Sequence, residues 1–369
     1  MIIYLLLLQC GGLYSGASDI NIKDSTFSSN IATTQIGGAL FYASYNVHII
    51  GVTFFNNSAH QSVGGLLFQR VIGSSVVDCE FSGNDTDTTG GLGLQLSEDV
   101  FLSRNKFVSN NASEGYDGGV AVSLTKNVTV ANCSFEGNEA ISGAGIHIAA
   151  TKYISVDASS FVDNVATAYG SAVFSKAGLH FSIFDSHFER NSALAGTVMW
   201  RTGFPIFTET EEAEGTMPEI IGLESESNTF TQNTALYGDK YATEGVTLVI
   251  VDDSSNSSSS SVYIDQYDSP VPNVNVALRD FYDQTVVTDS SNFVEASVSL
   301  ADHGTCNGDD GYLTGDHIVK LDKGIATFSA LEVFCFPEHS LNVSFGTDSQ
   351  QAMTSTVYDF RPCVRRILC

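Results

Sequence analysis

Three aspartates have the chemistry for paired acid–base work. Asp24, Asp78 and Asp185 each stand three residues before a phenylalanine, namely Phe27, Phe81 and Phe188. A glycosidic bond is commonly hydrolysed by two carboxyl groups flanking it, one protonated and one ionised. If the chain coils so that equivalent residues stack, Asp24 and Asp78 lie two layers apart, about 10 Å, near the upper end of the separation that admits a water molecule between them. The column member between them is Gly51, however, and the next are Arg104, Asn132 and Ala158. Solvated corner residues account for such a series better than a catalytic pair does.

Other constellations are incomplete in the same way. A polysaccharide lyase needs a basic residue opposite a cation-binding acidic set, and the 16 lysines and arginines are scattered. Asp85-x-Asp87-x-Thr89-Gly90 begins like a calcium loop, but Leu96 stands where the closing glutamate belongs. In Gly90-Gly91-Leu92-Gly93-Leu94-Gln95 the glutamine replaces the aspartate of a calcium-binding nonapeptide. Gly308-Asp309-Asp310 falls outside the repeats, and the eight histidines, including His48, His147 and His180, lack metal-ligand spacing. Neither a metal nor another cofactor is expected. Cys79 and Cys133 each precede a phenylalanine by two, in one column two turns apart. That places them about 10 Å from each other, beyond the ~7 Å Cα limit of a disulfide, so they read as buried free thiols. Cys306 and Cys335 lie past the repeats and are the candidate disulfide.

These residues are positioned by a repeat. Phe-x-x-Asn recurs as Phe27/Asn30, Phe54/Asn57, Phe81/Asn84, Phe107/Asn110, Phe135/Asn138, Phe161/Asn164, Phe188/Asn191 and Phe230/Asn233, at phenylalanine spacings of 27, 27, 26, 28, 26, 27 and 42. Alanine follows the asparagine by two in every turn but one, where Thr86 stands. Pairs such as Val47/Ile49 and Val128/Val130 alternate with the period of a strand, and Gly-Gly pairs such as Gly37-Gly38 and Gly64-Gly65 open a second strand. One unit cannot bury its apolar side, but units stacked about 4.8 Å apart place phenylalanine on phenylalanine and asparagine on asparagine. An asparagine amide both donates and accepts, so it can bond the turns above and below. The glycines permit either positive φ or close approach of the next turn.

The expected fold is all-β: a right-handed parallel β-helix of the pectin-lyase-like kind over residues 19–243, with an acidic insertion near 201–227. Residues 1–18 read as a partial turn or weak signal segment. From about Gly245 the repeat vanishes, and alternating runs at 246–251, 274–278, 294–300 and 324–328 predict a small antiparallel, immunoglobulin-like β-sandwich over 244–347. Residues 348–369, with Cys363 and Cys369, read as the start of a truncated cysteine-rich module.

The recurring Gly-Gly-Ala (Gly37-Gly38-Ala39) with Phe-x-x-Asn resembles the repeats of the chlamydial polymorphic outer membrane proteins and of large β-helix surface proteins in algae, oomycetes and other protists. The resemblance covers roughly residues 11–241 and implies a surface-exposed or extracellular passenger used in adhesion. No autotransporter barrel follows, and Pro270–Phe345 looks like the sandwich that follows β-helices in the eukaryotic proteins. Membrane attachment is expected only through flanking regions. Carrying 42 acidic residues against 16 basic ones, for a net charge of -26, the chain repels phosphate backbones, so nucleic acid is not an expected partner. An extracellular glycan or protein is. Sequons at Asn56, Asn111, Asn127, Asn132, Asn256 and Asn342 are candidate glycosylation sites, whereas the sequon at Asn84 coincides with a ladder position that should face inward. The expected function is non-catalytic, adhesive or structural. The alternative is a polysaccharide-active β-helix lyase or hydrolase, or a lectin-like inactive relative of one.

Overall fold

A computed structural model describes residues 10–202, 221–251, 261–264, 273–299, 312–334, 340–347 and 353–360. The chain divides into two units, one ending at Ala242 and one starting at Thr243. In the first, each turn gives one short strand to each of four parallel sheets, which hold nine, seven, eight and six strands. The turn from Ala39 shows the order: Ala39–Tyr42 joins the nine-stranded sheet, Val47–Ile50 the seven-stranded, Thr53–Phe55 the eight-stranded and Ser58–Ala59 the six-stranded. The result is a parallel β-solenoid.

Register follows the repeat residue for residue. Phe27 pairs with Phe54, Phe54 with Phe81, and so on to Phe188 with Phe230. Successive rings lie 4.6 to 5.3 Å apart and within 10° of parallel, a continuous stack along the axis. The six inner rings are wholly buried, whereas Phe27 and Phe230 at the ends are half-buried. Lys240 lays its ammonium 4.8 Å from the centroid of Phe230 and so covers the last ring.

Beside this stack runs the asparagine ladder. Asn84 is typical: its Oδ1 accepts from the backbone N–H and the amide of Asn57, both at 3.0 Å, and its Nδ2 donates to the carbonyl of Phe54 and to Oδ1 of Asn110, both at 2.9 Å. The amide thus ties the backbone of one turn as well as the side chain of the next. Asn57, Asn84, Asn110, Asn138, Asn164 and Asn191 are fully buried, and Asn30 and Asn233 at the ends are half-buried.

The Gly-Gly pairs serve close approach, not positive φ. A Cβ on Gly38 would come within 2.2 Å of the Gly65 carbonyl oxygen and 3.1 Å of the Phe54 ring, and one on Gly65 would meet the Gly91 oxygen at 2.3 Å. Positive φ instead falls on four corner columns occupied by residues of every kind. The column three before phenylalanine reads Asp24, Gly51, Asp78, Arg104, Asn132, Ala158 and Asp185, with φ between 45° and 63°. Each of these corners donates its backbone N–H to the next turn, as Asp78 does to Ser103 at 3.0 Å and Arg104 to Ala131 at 3.0 Å. Hydrogen bonds that continue across the corner hold even Leu96 and Leu124 in a conformation side chains usually avoid.

The second unit contains small, mostly antiparallel sheets. Gly245–Val251, Val274–Asp280 and Ile325–Phe328 form one, and Phe293–Ser299, Ile318–Lys320, Ser340–Thr347 and Met353–Phe360 belong to a five-stranded one. Its fifth strand, Ser261–Ile264, pairs in parallel with Met353–Phe360. The expected boundary at 347 is corrected here: Met353–Phe360 pairs antiparallel with Ser340–Thr347, so the alternating pattern of 340–347 continues into a sheet partner instead of a separate module. Cys306, Cys335, Cys363, Cys369 and Asn256 lie outside the described residues, as do residues 1–9 and 203–220 of the acidic insertion. By Ile221, which bridges Ser182 in parallel, the chain has rejoined the solenoid.

Candidate functional site

Asp24, Asp78 and Asp185 sit on exposed corners at φ 45°, 53° and 49°. Asp78 is clamped by the next turn, since Arg104 donates Nε–H and a terminal N–H to its two oxygens at 2.7 Å each. The guanidinium holds the Asp78 carboxyl below the usual carboxylate range, which suits an ion-pair partner and opposes a proton-donating role. The same fork recurs where Arg190 meets Asp163 at 2.8 Å twice, lowering that carboxyl too. Other carboxylates bond asparagines one turn on: Asp19 with Asn46 and Asp85 with Asn111, each at 2.8 Å, and Asp99 with Asn127. Glu98 meets Lys126 at 3.1 Å. The sequence-level column hid this because the partner lies 26 to 28 positions away.

A second cluster was not foreseen. On the outer side of the nine-stranded sheet, Thr89 Oγ1 donates to Asp117 Oδ2 at 2.8 Å, and the other Asp117 oxygen meets His147 Nδ1. Three turns are joined in this way. The His147 ring packs edge-on to Phe174 at 5.0 Å and beside Tyr116 at 5.7 Å. A carboxylate on Nδ1 orients an imidazole as in acyl-transfer enzymes, but His147 Nε2 is buried with no hydrogen-bond partner among the described residues. Among the described residues no nucleophile is hydrogen-bonded to it. The hydroxyl of the set, Thr89, bonds the aspartate instead.

Buried thiols and corner polar groups complete the inventory. Two residues before each phenylalanine from Phe54 to Phe230 stand Val52, Cys79, Asn105, Cys133, Ser159, Ser186 and Asn228, all buried. This is a second ladder: Cys79 N–H donates to Asn105 Oδ1 at 2.9 Å, and Cys133 N–H to Ser159 Oγ at 3.2 Å. Cys79 and Cys133 are free thiols, and burial pushes Cys133 up to about 11. Among the described residues no three metal-ligating side chains cluster, and no helix is long and apolar enough to cross a membrane. An open depression of about 450 Å³ near the end of the six-stranded sheet is lined by Ala166, Ser192, Leu194, Thr234 and Leu236 among others, with no titratable side chain on its walls. Asn56, Asn127 and Asn132 are exposed corners and Asn111 is half-buried. Asn342 is half-buried in the strand Ser340–Thr347.

The right handed beta helix region family matches residues 11–210, and the chain belongs to that family. No curated protein matches it closely enough to count as a relative. Among solved structures it is similar to the enzymatically active domain of tailspike protein 2 from bacteriophage CBA120, at 11% identity and a TM-score of 0.25, over 93% of this chain and 58% of that one. Full-length tailspike protein 2 from the Escherichia coli O157:H7 bacteriophage gives 10% identity and a TM-score of 0.25, over 94% of this chain and 52% of that one. The chain thus spans less than two thirds of either tailspike chain.

Proposed function

We propose that this chain is a non-catalytic passenger at a cell surface or outside the cell, adhesive or structural in role, of the kind its repeats resemble in chlamydial and protist β-helix proteins. One observation carries the reading: Asp78, Asp163 and Asp117 each hold one turn to another. Asp78 bonds Arg104, Asp163 bonds Arg190, and Asp117 bonds His147 and Thr89. Catalysis of glycan cleavage requires an acid and a base, or a base and a cation site, converging on one bond. Here such groups are distributed one pair per corner along the axis. The ligand class that fits an extended surface of this kind is an extracellular glycan or protein.

Incubation of the purified chain with pectin, polygalacturonate, alginate and mixed algal polysaccharides should release no reducing or unsaturated ends, while an immobilised glycan array should retain it. Release of ends that disappears in Asp78→Asn would overturn the reading.

A further inference from the structure

One face of the solenoid lacks the charge that the rest of the surface carries. In the seven-stranded sheet Val76, Val100, Leu102, Val128 and Val130 are buried, so the residues alternating with them face outward. The outward column six before phenylalanine reads Asn21, His48, Ser75, Phe101, Thr129, Ser155 and Ser182, and the next reads Ile50, Val77, Ser103 and Ala131 between Lys23 and Asp157. Between those last two residues neither column contains a carboxylate or an ammonium. His48 is hydrogen-bonded to Ser75 Oγ at 2.8 Å. At the bordering corners Glu98 pairs with Lys126, and Asp78 with Arg104, so those charges are cancelled within the chain.

Phe101 breaks the polar column. It lies on Glu98–Ser103, the fourth of the seven strands, in register with Ser75 on one side and Thr129 on the other. It is 44% exposed, and Val77 and Ala131 on the flanking strands are half-buried. The acidic insertion rejoins the solenoid at Ile221, against the last strand of the sheet and three strands from Phe101. A large ring centred on a flat patch of small residues, with charge confined to the border, is the anatomy of a protein–protein contact.

We propose that this face joins two copies of the chain, packed sheet to sheet about a two-fold axis at Phe101. Each copy carries a net charge of -26, so close approach is least opposed where the surface is uncharged. A partner of opposite charge would be drawn to the acidic faces instead. In an isologous contact the same ring comes from both sides, and two phenylalanines so placed can stack. Seven strands about 4.8 Å apart and about 20 Å long present roughly 670 Å², so a pair buries about 1,300 Å², the low end of what specific contacts bury. The dimer is therefore weak and reversible. It is separate from any adhesive ligand.

Sedimentation velocity of the full chain over a range of concentrations tests the contact. The chain is made in a bacterial periplasm, without glycans, because the exposed sequon corners Asn127 and Asn132 border the strand next to Phe101. The expected result is a monomer–dimer equilibrium in the micromolar range that tightens as added salt screens the net charge. Phe101→Glu sets two carboxylates face to face and should weaken the dimer roughly tenfold or more. Phe101→Ser places in the column the residue type of Ser75, so it should weaken the dimer severalfold and melt with the parent. Phe55→Glu, at a phenylalanine 49% exposed on the eight-stranded sheet, should leave the dimer unchanged. A monomer at every concentration, a dimer that survives Phe101→Ser at full strength, a dimer that salt dissociates, or equal loss in Phe55→Glu would overturn the proposal.

Discussion

Replacing Asn84 with alanine removes one rung of the inner ladder, and the structure sets the size of the effect. Four hydrogen bonds are lost at once, two accepted from Asn57 and two donated to Phe54 and Asn110. Some partners retain a second bond: the Asn57 amide still donates to the Phe27 carbonyl at 2.9 Å, and Asn110 Oδ1 still accepts from the residue-84 N–H at 3.2 Å. The Asn57 N–H and one proton of its amide lose the acceptor they shared, in a place with no exposed surface. A buried donor without a partner costs about 1–3 kcal/mol, so two of them, with the carbonyl of Phe54 and the small void left behind, amount to about 3–5 kcal/mol. A domain of ordinary stability has only about 5–15 kcal/mol in all. Urea unfolding followed by far-UV circular dichroism measures the loss, and Asn21→Ala, on an exposed strand position, is the control expected to stay within ~0.5 kcal/mol. Hydrogen exchange should show deprotection centred on the turns of Asn57 and Asn110. A loss under ~1 kcal/mol for Asn84→Ala would refute the ladder as a source of stability.

Three further outcomes follow from the same geometry. Ala158→Gly should stabilise the chain by about 0.5–1 kcal/mol in a thermal melt, because φ of 46° strains an alanine by ~1–2 kcal/mol while glycine adds only ~0.4–1 kcal/mol of unfolded-state entropy. The native Cys133 thiol holds its proton more tightly than the unfolded one. The stability this contributes is complete below the ordinary value of 9.0 and is lost as pH rises toward about 11, so Cys133→Ser should flatten the alkaline end of a stability-against-pH curve. In a secretory host, glycopeptide mass spectrometry should find Asn127, an exposed corner, modified, and Asn84 bare in folded product; high occupancy at Asn84 would contradict its burial.

The Phe-x-x-Asn period was legible because identical side chains must meet across turns for rings to stack and amides to pair. The strand runs past Gly245 were legible by alternation alone, and four of them fall on strands of the second unit. Corner conformation was not. Positive φ leaves a mark in sequence only where glycine or asparagine is selected, and here Arg104, Leu96 and Leu124 occupy it because hydrogen bonds between turns dictate the backbone. The second ladder was hidden by its variety, since valine, cysteine, asparagine and serine all fit a small buried space. Asp117 and His147 lie 30 residues apart and meet only through the coil. Lys240 carried no signal at all, because covering the last ring is a task that exists only once in the array.

Register pairing in the solenoid joins each turn only to the turn before and the turn after. Under tension applied through its ends, such a body has no single point of rupture. A turn peels from one end while the remainder keeps its stack and ladder, and each event releases 26 to 28 residues of chain, roughly 90 Å of slack at full extension. The load is relieved by stepwise lengthening. A tether built this way gives ground one layer at a time and can rewind the same way when the pull stops.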